Sequence, residues 1–269
     1  MGLNVDWTKE VEQLLTLENL SVEWKVIGDV ELLWLHQTQV IINLISIPSK
    51  WSPDTLIGLQ ERYLAEDKML IHLWQDVWLS RKQQVLSRLK SLVGINKRIH
   101  GRSTKVIKIT KTAAENFLNL YHLQGGAGGR YHFGLVLQEE LVAVASFSNK
   151  RTMKDRAKDH TSAELIRFAT KDGFTVTGGL SKLIKHYVQM AKPNDLMSYA
   201  DRDWSHGKAY LAAGFQLKAI TAPVRFYLDA ESLQRYSAKQ LAGNLDAAGV
   251  GTCLEIFNTG NLKYVLDLS

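Results

Sequence analysis

The stretch from Glu164 to Phe215 limits what this chain of 269 residues can fold into. It begins ELIRFATKDGFTVTGGLSKLIKHY and ends LMSYADRDWSHGKAYLAAGF. A short apolar run passes through Gly178-Gly179 into an amphipathic helix. A second run, Leu196 to Ala200, passes through a polar loop into a shorter helix that stops at Gly214-Phe215. The pattern is strand, loop, helix, strand, helix, which places the chain in the α/β (α+β) class. Glycines without a Cβ let a turn expose its N–H groups, and the first helical amides have no partner within the helix. Such a turn can cradle a phosphate with Gly178, Gly179 and Ser181, and Lys182 can neutralise its charge. It can equally be a tight strand-to-helix turn, with Ser181 near the helix start and Lys182 in solvent.

The length suits two domains, and a 45% hydrophobic, 22% charged composition is that of a soluble globular protein. No window is apolar enough to cross a membrane, the N-terminus lacks a secretory pattern, and the single Cys253 can form no internal disulfide. A reducing cytoplasm is therefore expected. Met1-Gly2-Leu3 lacks the Ser or Thr of a myristoylation signal. Between Asp76 and Glu115 there is no acidic residue, while Arg81, Lys82, Arg88, Lys90, Lys97, Arg98, Arg102, Lys105, Lys108 and Lys111 all fall there. These ten cations exceed the net charge of +6. A single-sign stretch of this kind favours nucleic acid through counterion release, the alternative being a solvated helix face and linker.

Along the chain, residues 9–20 read as a helix, Val30–Leu35 and Val40–Ile47 as strands turned at His36, Gln37 and Thr38, and Ser52-Pro53-Asp54 as the start of a helix to Ala65. Met69–Trp74 reads as a strand and Arg81–Val93 as a helix ended by Gly94. Six of the seven tryptophans lie in the first 78 residues, which argues for a separate core. The boundary is set in the basic, polar stretch Asn96–Thr104, giving domains of residues 1–100 and 101–269. The second half opens with strand Lys105–Ile109 and helix Thr112–Leu120. A loop with four glycines, YHLQGGAGGRYH, and a hairpin of Phe133–Leu137 with Leu141–Ser148 follow. Beyond a polar excursion at Asn149–His160 and the opening unit come strand Val224–Leu228, helical residues 231–245, and a final pair of strands turned at Asn258-Thr259-Gly260.

The two strands feeding helices, the first through GGLSK and the second ending in AYLAAGF, resemble the core of the Gcn5-related N-acetyltransferase fold. The resemblance implies that the amides of the first loop bind the pyrophosphate of acyl-CoA, acetyl-CoA in the first instance, and that Tyr210 protonates the departing thiolate. This chain reads FTVTGGLSKL where the family's loop normally carries a basic or glutamine residue and a third glycine. A narrower likeness takes in HLQG, SFSNKR, ELIRF, GGLSKL, SYADRDWSHGKAYLAAGF and IFNTGNLKY. These look similar to the C-terminal part of phage homing-endonuclease-like proteins and, more distantly, to Mom-type DNA-modifying acyltransferases. LIHLWQDVWLSRKQQVLSRLKSLVG resembles the end of a very-short-patch-repair, restriction-endonuclease-like domain. The expected architecture is thus a mixed-sheet acyltransferase domain preceded by a small restriction-endonuclease-like α/β domain that docks nucleic acid, DNA in the first instance.

Nuclease chemistry needs clustered carboxylates around Mg²⁺. Here Glu31 can fill one position, Ile42, Asn43 and Leu44 stand at the second, and Asp76 is a lone later carboxylate. A nuclease-like fold without nuclease activity is expected, the alternative being a residual centre built on Glu31 and Asp76. The eight histidines show no metal-ligand spacing with Cys253 or each other, so no metal is expected. In the acyltransferase half, Asp201 can act as general base and Arg202 can hold a phosphate, with Arg167 and Ser205 beside them as substrate-binding candidates. Salt bridges among Asp201, Glu164, Arg167 and Arg202 are the structural alternative. His122, in the glycine-rich loop, titrates near neutrality and is a second candidate base, or it only caps that loop. Tyr210 is either the general acid or a packing residue. The leading expectation is an acyl-CoA-dependent N-acyltransferase of phage or mobile-element type acting on or near nucleic acid. A DNA-binding protein descended from enzymes, which catalyses nothing, is the competing one.

Overall fold

The computed structural model describes residues 6–36, 38–153, 156, 159–244 and 253–268. The N-terminal Met1-Gly2-Leu3, Gln37 of the expected turn and residue 245 of the expected helix lie outside them. The chain is a mixed-sheet α+β protein whose contacts divide into two compact units. Unit 1 holds residues 1–82, 201–206 and 220–261, and unit 2 holds 83–200, 207–219 and 262–269. The chain therefore passes from one unit to the other several times rather than once.

Unit 1 opens with α1 (Trp7–Leu17), which buries Trp7, Val11 and Leu15 at helical spacing. Strands β1 (Val22–Ile27), β2 (Val30–Leu35) and β3 (Val40–Ile45) form an antiparallel meander. Helix α2 (Pro53–Ala65) starts where expected, Ser52 accepting the Thr55 N–H at 3.2 Å, and crosses over to β4 (Met69–Trp74), which runs parallel to β3. Helix α3 (Gln75–Val93) begins six residues earlier than the basic periodicity suggests and breaks its helical geometry at Arg81.

Residues expected as a linker are ordered in unit 2: β5 (Lys97–His100) and a 3₁₀ turn, Gly101–Ser103. Next come β6 (Lys105–Lys108), α4 (Lys111–Tyr121), β7 (Tyr131–Leu137), β8 (Glu140–Phe147), β9 (Arg151–Thr152), β10 (Thr161–Thr170) and β11 (Phe174–Thr177). Helix α5 (Gly179–Ala191), β12 (Asp195–Asp201), α6 (Lys208–Ala212) and β13 (Gln216–Ile220) complete the run. The chain then re-enters unit 1 as β14 (Val224–Asp229), β15 (Arg235–Ser237), α7 (Ala238–Asn244) and β16 (Cys253–Asn258), before β17 (Asn261–Asp267) returns to the sheet of unit 2.

The main sheet has the order β13-β17-β12-β10-β8-β7-β6, with β9 on β10, while β11 pairs with β5 in parallel. Its larger core cluster includes Phe133, Leu135, Phe147, Leu165, Leu183, Tyr187 and Leu196. Helix α4 buries Ala114, Phe117 and Leu118 in a separate cluster with Val144 and Ala169. The expected final strand pair is not a hairpin: β16 pairs with β14, whereas β17 is inserted between β13 and β12. The reason lies in burial. Ile256 and Leu228 join Ile45, Leu56 and Trp74 in the core of unit 1, while Leu262 and Tyr264 join the core of unit 2.

Candidate active site

Two parallel strands organise the site. β10 and β12 pair only at Ser162↔Asp195, Ala163↔Leu196 and Glu164↔Met197, although β10 goes on pairing with β8 as far as Thr170. Backbone groups on an inner strand edge need partners, and here a side chain supplies one. Ser198 Oγ lies 2.8 Å from the Leu165 carbonyl oxygen and 3.0 Å from Tyr210 Oη. Ser198 carries one hydroxyl hydrogen and a carbonyl can only accept, so Ser198 donates to Leu165 and the Tyr210 phenol donates to Ser198. Beyond Leu165 the β8 register slips by one residue, a bulge at Ile166 that re-aims Arg167.

Tyr210 sits on α6 with its ring stacked on Tyr264, centroids 5.2 Å apart and 18° between planes. Burial pushes its phenol above the ordinary value, and Ser198, Arg88 and Arg167 act in the opposite direction. Gly207, φ +71, caps α6, and a Cβ there would overlap the Tyr264 hydroxyl, so this position must be glycine for the stack to form.

The glycine turn lies at the start of α5. Gly178 is left-handed at φ +72 with open space where a Cβ would point, whereas Gly179 is buried against Val176 and Leu135. Ser181 is exposed. Lys182 does not point free: its ammonium donates to the carbonyls of Gly101 (2.9 Å) and Thr104. It ties α5 to the 3₁₀ turn, whose Gly101 packs on the Gly178–Gly179 backbone.

The other candidates are dispersed. His122 terminates α4, and its Nδ1 accepts the Gln124 N–H at 3.1 Å. Arg167 lies on β10 and donates to the Ile166 carbonyl. Asp201, Arg202 and Ser205 belong to unit 1. There Asp201 accepts the Asp203 N–H at 3.0 Å, and Arg202 faces Glu61 at 3.5 Å. Asp76, the later carboxylate of the residual-nuclease alternative, holds Arg235 through both oxygens at 2.6 and 2.8 Å. Glu31 is exposed. Among the described residues no group of three or more His, Cys, Asp or Glu could hold a metal ion, and no helix is long and apolar enough to cross a membrane.

The basic stretch divides. Lys97, Arg98, Arg102, Lys105, Lys108 and Lys111 are exposed, whereas Arg81, Lys82 and Arg88 are half-buried. Lys82 pairs with Glu10, and Arg88 is partly withdrawn from solvent beside Tyr210, where burial lowers its pKa. Ser198, Gly207 and Tyr264 escape sequence reasoning because only tertiary register brings them to Tyr210.

No protein-family model matches the chain, and no curated protein matches it by sequence. Solved structures do. The acetyltransferase of Bacillus subtilis in complex with CoA is similar at 15% identity over 62% of this chain and 99% of its own, TM-score 0.36. The ribosomal-protein-S18-alanine N-acetyltransferase of Escherichia coli is similar at 14% identity over 62% and 94%, TM-score 0.37. An N-acyl amino acid synthase from uncultured soil microbes is similar at 14% identity over 61% and 90%, TM-score 0.38.

Proposed function

We propose that the chain is an acyl-CoA-dependent N-acyltransferase that works on or near nucleic acid. One observation carries the reading: β10 and β12 part after three paired positions, and a half-buried tyrosine, held by Ser198 and Tyr264, stands where they part. Inner strand edges freed in this way offer N–H and C=O groups to an extended amide-bearing substrate such as the pantetheine arm, and polarised amides suit a thioester carbonyl. The residues fit the donor's phosphates, since Gly178 is left-handed and opens onto free space at the start of α5. The cation assigned there by sequence, Lys182, is engaged by two carbonyls, so it serves the turn's shape rather than the phosphate's charge. Tyr210 would return a proton to sulphur. No step is routed through Asp201, Arg202 or Ser205, which belong to unit 1.

The nucleic-acid part rests on the six exposed cations between Lys97 and Lys111, in a segment with no carboxylate. Acetyl-CoA titration by calorimetry tests the enzyme: binding is expected, and Gly178→Val should abolish it. DNA binding with a steep salt dependence, in protein that ignores acetyl-CoA, would leave the non-catalytic alternative standing.

A further inference from the structure

Where β10 and β12 part, one serine hydroxyl meets two oxygens, and its single hydrogen cannot serve both. The strands keep register as far as Glu164↔Met197, and the next pair in that register would be Leu165 with Ser198. A backbone acceptor that loses its ladder partner needs another donor. The Ser198 side chain becomes that donor, reaching across to the Leu165 carbonyl at 2.8 Å. Its Oγ also lies 3.0 Å from the Tyr210 phenol, which therefore donates to it. Ser198 is 1% exposed, so bulk water does not compete for this hydroxyl. At rest the hydrogens run one way, from Tyr210 to Ser198 to Leu165. The stack on Tyr264 fixes the phenol ring, so its oxygen stays beside Ser198.

We infer that Ser198 is the residue that carries Tyr210 through its ionised state: the hydroxyl hydrogen lies on the Leu165 carbonyl while the phenol is whole, and turns to the phenolate once the phenol has given its proton away. The inference rests on the acyltransferase reading above and names the partner that its acid requires. The amine nitrogen bonds to the thioester carbonyl carbon, the C–S bond breaks, the sulphur takes the phenolic proton, and water takes the proton that the amine loses. Tyr210 is then a phenolate withdrawn from solvent, which is unfavourable unless a donor faces it. Because Ser198 Oγ is already within hydrogen-bond distance of both oxygens, rotation about its Cβ–Oγ bond makes the exchange without moving a heavy atom. When water returns the proton to Tyr210, the hydroxyl turns back to the carbonyl, which would otherwise stay without its donor. Burial opposes the phenolate, and Ser198 is the first of the groups that favour it, ahead of Arg88 and Arg167. Ser198 acts only through Tyr210 and is therefore a positioning residue.

Thiol release from acetyl-CoA, with water in place of the amine, provides the test. Ser198→Ala should lower kcat about tenfold and leave KM for acetyl-CoA unchanged. The alkaline limb of its pH–rate profile, where the acid loses its proton, should move to higher pH, which a serine that only shapes the cleft would leave in place. Tyr210→Phe should abolish most of the release, and adding Ser198→Ala to it should slow the reaction no further, since the two act as one unit. Wild-type protein that fails to bind acetyl-CoA, or binds it without releasing thiol, overturns the acyltransferase reading and this one together. Release undiminished in Tyr210→Phe overturns Tyr210 as the acid and Ser198 with it. If Tyr210→Phe abolishes release while Ser198→Ala keeps the wild-type kcat or the wild-type alkaline limb, or slows the Tyr210→Phe protein further, Ser198 alone is overturned.

Discussion

Both units bury polar side chains, and they differ in what the closed groups surround. In unit 1 His72, Asp203 and Asp76 are closed by their neighbours, whereas Trp34 Nε1, Gln60 Oε1 and Tyr63 Oη are buried without a hydrogen-bond partner among the described residues. His72 uses both nitrogens, Nδ1 toward the Asn43 amide at 3.2 Å and Nε2 toward the Leu56 carbonyl at 3.1 Å. Asp203 takes the Thr259 N–H and hydroxyl and the Trp74 indole, and Asp76 takes Arg235 twice. In unit 2 Asp195 is likewise closed by Ser162, Arg156 and His160, whereas two strands part early and a half-buried phenol rests on a single serine. Burial of a titratable group is therefore a poor sign of chemistry by itself, and so is an unmet valence, since the Tyr63 phenol of unit 1 has one.

Three measurements can break or sharpen that contrast. The largest effect is expected in unit 1. Asp76→Ala leaves the Arg235 guanidinium, 24% exposed, without its carboxylate and should cost about 3–5 kcal/mol in chemical denaturation. Asp76→Leu with Arg235→Met should recover most of this, and failure to do so would mean the pair is more than a structural closure.

His72 comes next. Burial drives its pKa from 6.5 to about 4, so the folded state binds fewer protons than the unfolded chain between those values. Its stability contribution is whole above pH 6.5 and is lost as pH falls through the window to about 4, amounting to about 3 kcal/mol. Urea titrations across that range should show the slope in wild type and a flatter one in His72→Gln. The smallest effect belongs to Ser198→Ala, at about 1 kcal/mol. Once Tyr210 ionises, the Ser198 hydroxyl can turn its hydrogen to the phenolate, so losing Ser198 should raise the phenol's pKa further and tyrosinate absorbance for Tyr210 would appear at more alkaline pH than in wild type. A change in unit 2 as costly as that at Asp76 would erase the distinction between the units.

Local signals make much of this legible. Apolar runs mark β2, β3 and β4, Ser52-Pro53 marks the start of α2, and the glycine pair marks the turn into α5. What escapes depends on distant register. β5 reads as a basic linker because its partner β11 lies more than seventy residues away, at Phe174–Thr177 against Lys97–His100. His122 draws notice for its glycine-rich surroundings, while Ser198, inside the run LMSYA, is distinguished only by the Leu165 carbonyl and the Tyr210 phenol that it meets. The motif SYADRDWS illustrates the same limit: Ser198 serves unit 2, yet Asp203 serves unit 1.

The chain's return into unit 1 at residues 220–261 bears on how the molecule is assembled during synthesis. β3 and β4 are made well over a hundred residues before Leu228 and Ile256, the apolar side chains that finish their core. β12 must likewise wait for β17. Long sequence separations slow folding and leave apolar surface uncovered meanwhile. The tryptophan-rich segment is thus left exposed until residues 220–267 follow it, and those later residues complete both cores.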